Sequence, residues 1–576
     1  MIVRHDTLAH RRRQERKLGF VDEVAHLVLG TGPRHALAHD DEGVLGRLER
    51  RQCGFDIAPV ALPAAISIEY NAIEALWRVP AHKDPDRCPK QFIDYQIDAT
   101  VADVRLAIRE GYRNVEHVKR YTAMGFGTDQ GKLGNINGMA IAARCLGRTI
   151  PEVGTTVFRP NYTPVSFGAI VGRHCGELFD PERYTAMHQW HVENGAEFED
   201  VGQWKRPWYF PRKVNGKTET MHEAVARECS AVREKVGILD ASTLGKIDIQ
   251  GPDAREFLGR VYTNKWAKLA PGRVRYGLMC KDDGMVFDDG TTSCLAENHF
   301  LMTTSTGGAA TVLEWLEIWH QTEWPELDVY FNSVTDHWAT MTVTGPDARK
   351  LLAEVTDIDL DREAFKFMDW REGTVAGVPA RVFRISFTGE LSFEINVQAN
   401  YAMHVWKKLF AHGDKYGLTP YGTETMHVLR AEKGFIIAGQ DTDGSVTPED
   451  LGMHWAIGYD KPNSWIGKRA LTRPDTKRTD RKQMVGLKPK DPSVVLEEGA
   501  QIVFDPNHAI PMPMKGHVTS SYYSPTLQSG FALAVVMGGH QKMGETVYLP
   551  MVDGQVHEAE IVSPIFLDPK GERQNV

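Results

Sequence analysis

Asp248-Ile249-Gln250-Gly251-Pro252-Asp253-Ala254-Arg255 returns 94 residues later as Thr342-Val343-Thr344-Gly345-Pro346-Asp347-Ala348-Arg349. Each copy reads as an alternating strand, a glycine turn, a proline at the first position of a helix, and apolar residues at helical spacing, Phe257 and Leu258 in one and Leu351 and Leu352 in the other. Two strand-turn-helix halves facing each other predict a pseudo-symmetric α+β body with a central cleft for a ligand.

Working outward from the first copy, Lys281-Asp282-Asp283-Gly284-Met285-Val286-Phe287-Asp288-Asp289-Gly290 reads as a strand-turn-strand element closed by two adjacent carboxylates. Such a pair suits a cationic intermediate, although a turn of Asp and Gly is ordinarily only a turn. Tyr276 lies thirteen residues before Asp289 on the preceding strand, near enough across a hairpin for its ring to border the same pocket. In the second half, Phe387-Thr388-Gly389-Glu390-Leu391-Ser392-Phe393-Glu394 sets Glu394 at the end of an alternating strand with Phe387 on the inside. A lone strand Glu is usually solvated; a buried one would grip a polar ring bearing N–H donors.

At 576 residues the chain exceeds one core, and about three or four domains are expected. A hydrophobic content of 42% with 25% charged residues is that of a globular protein, and no apolar run reaches the roughly 18 residues of a spanning helix. A net charge of −9 argues against a nucleic-acid surface, and the basic run Arg11-Arg12-Arg13-Gln14-Glu15-Arg16-Lys17 reads as a solvated helix face. Seven scattered cysteines (Cys53, Cys88, Cys145, Cys175, Cys229, Cys280, Cys294) with no C-x-x-C pair fit a reducing cytoplasm, and no metal site is expected.

Residues 1–85 carry no strong period, and Gly30-Thr31-Gly32-Pro33 fails as a dinucleotide turn for want of a third glycine and a ribose-binding acid. Further on, Thr100 and Asp103 form a capping-box pair for a helix ended by Gly111, and Asn114 caps a second. Gly125-Phe126-Gly127-Thr128-Asp129-Gln130-Gly131-Lys132 mimics a phosphate loop but lacks its first glycine and its Ser or Thr. Between 151 and 227 the rise in proline and aromatic residues predicts an extended, mostly irregular connector.

From about Leu76 onward several motifs occur together in order: Leu76-Trp77-Arg78-Val79-Pro80, His117-Val118-Lys119-Arg120-Tyr121-Thr122, Thr128-Asp129-Gln130-Gly131-Lys132, Glu152-Val153-Gly154-Thr155-Thr156, Tyr276-Gly277-Leu278-Met279, Glu432-Lys433-Gly434-Phe435 and Ser524-Pro525-Thr526-Leu527. On these the chain resembles the C-terminal part of the alpha subunit of heterotetrameric sarcosine oxidases. From about Glu228 to Val576 it also resembles the glycine-cleavage T-protein, an aminomethyltransferase. The resemblance implies a folate-binding body at 228–480 and a C-terminal β-barrel-like domain at 481–576. Before them come an N-terminal remnant at 1–85, a small helical ferredoxin-like domain at 86–150 and the connector at 151–227. It maps folate contacts onto Tyr276, Asp289, Phe387, Glu394 and Ser305, with Asp289 catalytic beside N10 and Glu394 on the pterin. Three departures from the T-protein pattern stand out: Phe387 replaces a tyrosine, Ser305 an asparagine, and Met426 an arginine that contacts folate.

Segment 92–134 resembles a bacterioferritin-associated-ferredoxin domain whose four cluster cysteines would fall at Asp94, Gln96, Asp129 and Gly134. None can serve as a thiolate, so the fold is expected without the metal. Lys119, Arg120 and Lys132 are candidates for a flavin phosphate, FMN, at a subunit boundary. The family's glycine-rich dinucleotide fingerprint is missing from this sequence, so NAD binding is not expected from this chain alone. The function implied is that of a cytoplasmic folate-binding subunit. It would work with beta, gamma and delta partners and capture the one-carbon product of sarcosine demethylation on tetrahydrofolate, giving 5,10-methylenetetrahydrofolate. A stand-alone aminomethyltransferase and a non-catalytic assembly scaffold are the alternatives.

Overall fold

The computed structural model describes residues 75–160 and 162–576; the Arg11–Lys17 run, Gly30–Pro33, Cys53 and most of the expected N-terminal remnant lie outside them. The chain divides into two compact units, Met1–Val165 and Ser166–Val576. In the first, the strands β1 (Phe92–Asp94) and β2 (Ala99–Thr100) pair, and the helices α1 (Val101–Arg109), α2 (Val115–Thr122) and α3 (Asn135–Leu146) pack on Ile93, Val104, Val118 and Met124. Thr100 and Asp103 cap α1 reciprocally, and the Asn114 side chain accepts from Glu116 N–H to open α2. The four positions aligned with cluster cysteines are occupied by a hydrogen-bonded substitute. Gln96 donates to Thr128 and accepts from the Asp129 N–H, while Asp94 accepts from Gly125 N–H at 2.8 Å. At Gly134 a side chain would meet the Ile93 carbonyl at 2.5 Å, so a cysteine there would force the backbone apart.

The repeat in the second unit is carried by topology as well as by sequence. Its first half runs β6 (Gly245–Gln250), α6 (Ala254–Val261), β7 (Val274–Cys280), β8 (Val286–Ala296), β9 (His299–Thr304), α7 (Ala309–Glu323) and β10 (Tyr330–Ser333). The second runs β11 (Trp338–Thr344), α8 (Ala348–Leu352), β12 (Trp370–Val375), β13 (Val378–Phe383), β14 (Ser392–Gln398) and α9 (Ala402–Gly413), then β15 (Thr419–Pro420) and α10 (Thr423–Glu432). Ahead of both halves lie α4 (His188–Glu193), the hairpin β3 (Glu197–Val201) and β4 (Trp204–Tyr209), α5 (Met221–Glu234) and β5 (Gly237–Asp240). Sheet order is β10-β6-β9-β8-β7 in one half and β5-β11-β14-β13-β12 in the other, with β15 added in parallel beside β5. Strand for strand the two orders correspond.

The glycine of the repeat is required in both halves for the same reason. Gly251 and Gly345 sit at φ +137° and +126°, and a side chain on them would strike the Asp328 and Lys235 carbonyls at 2.2 and 2.4 Å. The proline position differs from expectation: α6 and α8 begin at Ala254 and Ala348, after N-caps Asp253 and Asp347, so Pro252 and Pro346 stand before the cap. Phe257, Leu258, Leu351 and Leu352 are fully buried, as their spacing requires. Much of the stretch expected as irregular connector is regular structure, namely α4, the β3–β4 hairpin and the start of α5. Of its aromatic residues, Trp190 packs inward against Trp406 and Phe410, whereas Phe158, Phe167, Phe179 and Tyr184 stay exposed.

A final sheet, β17-β18-β19-β16-β21-β20, is formed by β16 (Lys482–Pro489), β17 (Gln501–Ile502), β18 (Gly516–Ser524), β19 (Ser529–Met537), β20 (Thr546–Pro550) and β21 (Val556–Val562). The Val503–Tyr548 bridge joins its two ends, making it nearly a closed barrel. Among the described residues no helix is long and apolar enough to cross a membrane.

Candidate functional site

A cavity of about 1980 Å³ opens in the second unit, and Tyr276, Asp289, Ser305, Phe387 and Glu394 all line it. Asp289 owes its position to the hairpin: Lys281 and Met285 close the turn, and β8 then carries both acids as strand residues at the close of the strand-turn-strand element. Strand alternation separates them. Asp288 is buried on the far face, where it accepts from the Ser305 hydroxyl at 3.1 Å; that hydroxyl in turn accepts from Gly308 N–H ahead of α7. Asp289 faces the cavity and accepts from the Tyr276 hydroxyl at 2.6 Å. Thr291 is the residue opposite Tyr276 in the ladder, so Tyr276 and Asp289 are diagonal neighbours on one face.

Glu394 reaches the same cavity from the other sheet. Phe393 and Ile395 point into the core, leaving Glu394 between them on the cavity face; it is the third residue of β14, not its end. Phe387 is not on a strand. β13 stops at Phe383, and the loop to Ser392 is held by Arg233 donating to the Thr388 carbonyl and by Gly389 N–H donating to Ser386. In that loop Phe387 stacks on Phe435, centroids 6.1 Å apart and planes 20° apart.

Burial sets the charge state of these groups. It pushes Asp289 up to about 7, with the Tyr276 hydroxyl pulling down and Asp288 pushing further up. Asp288 rises to about 6 by the same desolvation, opposed by its hydrogen bonds. Glu394 is raised to about 7 by burial, opposed by the charge of Lys246, and it makes no hydrogen bond or ion pair among the described residues. Lys246, itself lowered to about 8 by burial, donates to the Ser242 and Leu244 carbonyls. The site therefore holds two carboxyls that titrate near neutrality in a partly dry cleft.

Four contributors escaped sequence reasoning. Trp455, 66% exposed, lies 5.9 Å from the Tyr276 ring at the cavity wall. Lys246 precedes the first copy of the repeat on β6, Arg206 is on β4 and Tyr421 follows β15, and none of them carries a local pattern that marks it. Met426, where the resemblance implies a lost arginine, does line the cavity. In the first unit Lys119 is 3% exposed, its ammonium donating to the Val157 carbonyl beside Glu116, so it turns away from solvent, contrary to an open phosphate-binding role. Arg120 is exposed beside Glu116, and Lys132 is exposed over the Tyr162 ring.

This fold, two matched sheets around a ligand-sized cavity followed by a barrel, defines a class. The GCVT N-terminal domain matches residues 187–461 and the glycine cleavage T-protein C-terminal barrel domain matches 482–568. An aminomethyltransferase of Halothermothrix orenii is 30% identical over 66% of this chain and 99% of its own length. A crystal structure of the glycine cleavage system aminomethyltransferase T from Bartonella henselae shares the fold, with a TM-score of 0.58 at 24% identity over 67% of this chain and 98% of that one. The chain belongs to the glycine-cleavage T-protein (aminomethyltransferase) family.

More particularly, the sarcosine oxidase A3 domain matches residues 88–173. The sarcosine oxidase subunit alpha of Corynebacterium sp. (strain U-96) is 50% identical over 89% of this chain, and that of Rhizobium meliloti is 43% identical over 91%. The resemblance to sarcosine oxidase alpha subunits is thus borne out. The chain spans about half the length of these relatives.

Proposed function

We propose that the chain is the folate-binding alpha-type subunit of a cytoplasmic sarcosine-oxidising complex. In this reading the amine is oxidised on a flavin held with beta, gamma and delta partner subunits, and the one-carbon product is captured here on tetrahydrofolate. The observation that carries the proposal is the Tyr276–Asp289 pair facing the same cavity as Glu394. The carboxylate of Glu394 accepts from the N–H donors of the pterin, and Phe387, Phe435 and Trp455 supply aromatic walls. Asp289, oriented by the Tyr276 hydroxyl, stabilises the cationic carbon–nitrogen species more strongly than it could in water.

The one carbon arrives as an iminium, R–NH⁺=CH₂, or as formaldehyde. Its carbon bonds first to N5 and then to N10, the N–H protons of both nitrogens depart with the released amine as R–NH₃⁺ or with water, and Asp289 relays the N10 proton. The product is 5,10-methylenetetrahydrofolate, formed with no net redox change at this site. Of the residues expected at FMN, Lys119 does not fit, because its ammonium is committed inside the first unit; only Arg120 and Lys132 are retained as candidates for an interface with a flavin-bearing partner.

In the assembled complex, Asp289→Ala should leave amine oxidation nearly intact while free formaldehyde replaces the folate adduct. An unchanged yield of folate adduct would reject the assignment. One observation favours a stand-alone aminomethyltransferase, since such an enzyme is matched over 99% of its length; co-purification with a flavin-bearing chain separates the two.

A further inference from the structure

The motifs Glu432-Lys433-Gly434-Phe435 and Ser524-Pro525-Thr526-Leu527 meet in the folded chain, where the Ser524 hydroxyl donates to Glu432. Glu432 also accepts from Arg233 Nε at 3.1 Å. Arg233 Nη1 donates to Glu390 at 2.8 Å, and Arg573 Nε donates to that same Glu390 oxygen at 2.6 Å. Charge therefore alternates along Arg573, Glu390, Arg233 and Glu432, and the last three are buried. Two cations balance two anions. Removing Arg573 would leave Arg233 to serve two buried carboxylates, with one negative charge uncompensated.

Glu390 belongs to the loop between β13 and β14, three residues after Phe387. Its outer cation comes from residues 563–576, which follow β21 and form no helix or strand. This segment starts on α10, where the Phe566 and Leu567 N–H groups both donate to the Glu432 carbonyl at 2.9 Å. It then reverses at Asp568, at φ +47°, whose carboxylate accepts from the Glu572 and Arg573 N–H groups at 2.9 and 3.1 Å. The reversal brings Arg573 back onto Glu390. A second tether runs through Lys433: its ammonium donates to the Asp568 carbonyl, and its stem lies against the loop, where a side chain on Gly389 would come within 2.5 Å of it. The segment thus grips two adjacent loop residues, 389 and 390. Its apolar hold is slight, because no apolar side chain of 563–576 is fully buried.

The same elements enclose one end of the cavity. Phe387 stacks on Phe435, and a side chain on Gly434, next to Phe435, would strike the Pro564 carbonyl at 2.6 Å. Ser563, Pro564, Ile565 and Gln574 line the cavity beside them. We propose that residues 563–576 are a strap over the aromatic end of the cavity, with Arg573 as a positioning residue that acts through Glu390 to set Phe387 against a bound ring. A segment held by polar tethers and little apolar burial releases and re-engages without breaking the core. This deepens the function proposed above and rests on it for the identity of the ring, a pterin; the link between strap and loop stands apart from that reading.

The test combines hydrogen exchange with ligand binding on the full chain. In the unaltered chain, 385–391 and 563–576 should open as one unit, with matching opening free energies across a denaturant series; unlinked opening overturns the proposal without reference to any variant. Arg573→Gln should speed exchange at 385–391 by about tenfold while the barrel strands stay unchanged, and should weaken binding of 5-formyltetrahydrofolate by about tenfold, with Arg573→Lys restoring most of both. Added to Phe387→Leu, Arg573→Gln should cost little further affinity, because both act on one ring contact. Losses of affinity that add in full overturn the positioning role, since a general loss of stability produces them. If the unaltered chain does not bind 5-formyltetrahydrofolate the folate reading fails, and exchange in the ligand-free chain still decides the strap.

Discussion

The two halves of the repeat share a sheet order, a strained glycine and a helix that starts after an Asp, yet they carry their cavity acids on strands that do not correspond. Asp289 is on β8, whose counterpart is β13; Glu394 is on β14, whose counterpart is β9. Their surroundings differ as well. Asp289 has a hydroxyl donor and a second carboxyl next to it, whereas Glu394 has no hydrogen-bond or ion-pair partner among the described residues and feels only the charge of Lys246. Duplicated backbone geometry built the cleft, and its side chains are unequal: in the function proposed above, one acid acts on charge and the other receives the ligand.

That division can be broken most sharply at Asp289. Asp289→Asn keeps the shape and removes the charge, and the rate of folate-adduct formation should fall by about 10²–10³ with little change in folate affinity. Single-turnover measurement in the assembled complex would reveal this; a loss confined to affinity would merge the two acids into one role.

Next in size are Gly251→Ala and Gly345→Ala. Each places a side chain against a carbonyl at positive φ, and each should lower stability by about 2 kcal/mol or more. Denaturant unfolding should give similar losses for both; a loss in only one would show that the halves are alike in topology but not in strain.

Glu394→Gln should weaken folate binding by roughly tenfold, the cost of a charge-assisted hydrogen bond, while the rate at saturation changes less. Folate affinity of the unaltered chain should rise with pH through about 7 as Glu394 ionises, and the glutamine variant should lose that dependence. Stability runs the other way. Both acids hold their protons more tightly folded than unfolded, so their contribution is greatest below about pH 4. It declines as pH climbs from there to about 7. Either amide variant should therefore raise the unfolding midpoint relative to the unaltered chain at pH 8, as a thermal scan would show.

Tyr276→Phe should give the smallest effect. It removes the bond that holds the Asp289 pKa down, so the acid limb of the adduct-forming rate should move to higher pH, with a loss of only a few-fold at neutrality. An unshifted limb would mean that Tyr276 orients the carboxylate without tuning it.

The sequence alone determined the repeat, because a glycine forced to positive φ and a buried pair such as Phe257–Leu258 leave a local pattern. It also determined the helix caps at Thr100 and Asn114, since a cap is a contact between residues two or three apart. Tyr276 and Asp289 were legible together because a hairpin converts short sequence separation into a shared face. Tertiary structure decided the rest. Which of two neighbouring acids meets the cavity depends on strand phase, and the bend carrying Phe387 depends on Arg233, far away in the chain. Trp190, within a stretch that read as a connector, became part of the core wall only once α4 packed on α9. Arg206 and Tyr421 left no trace in the sequence, because what sets them apart is a buried polar atom with no partner among the described residues, and that is a property of the packed surroundings alone.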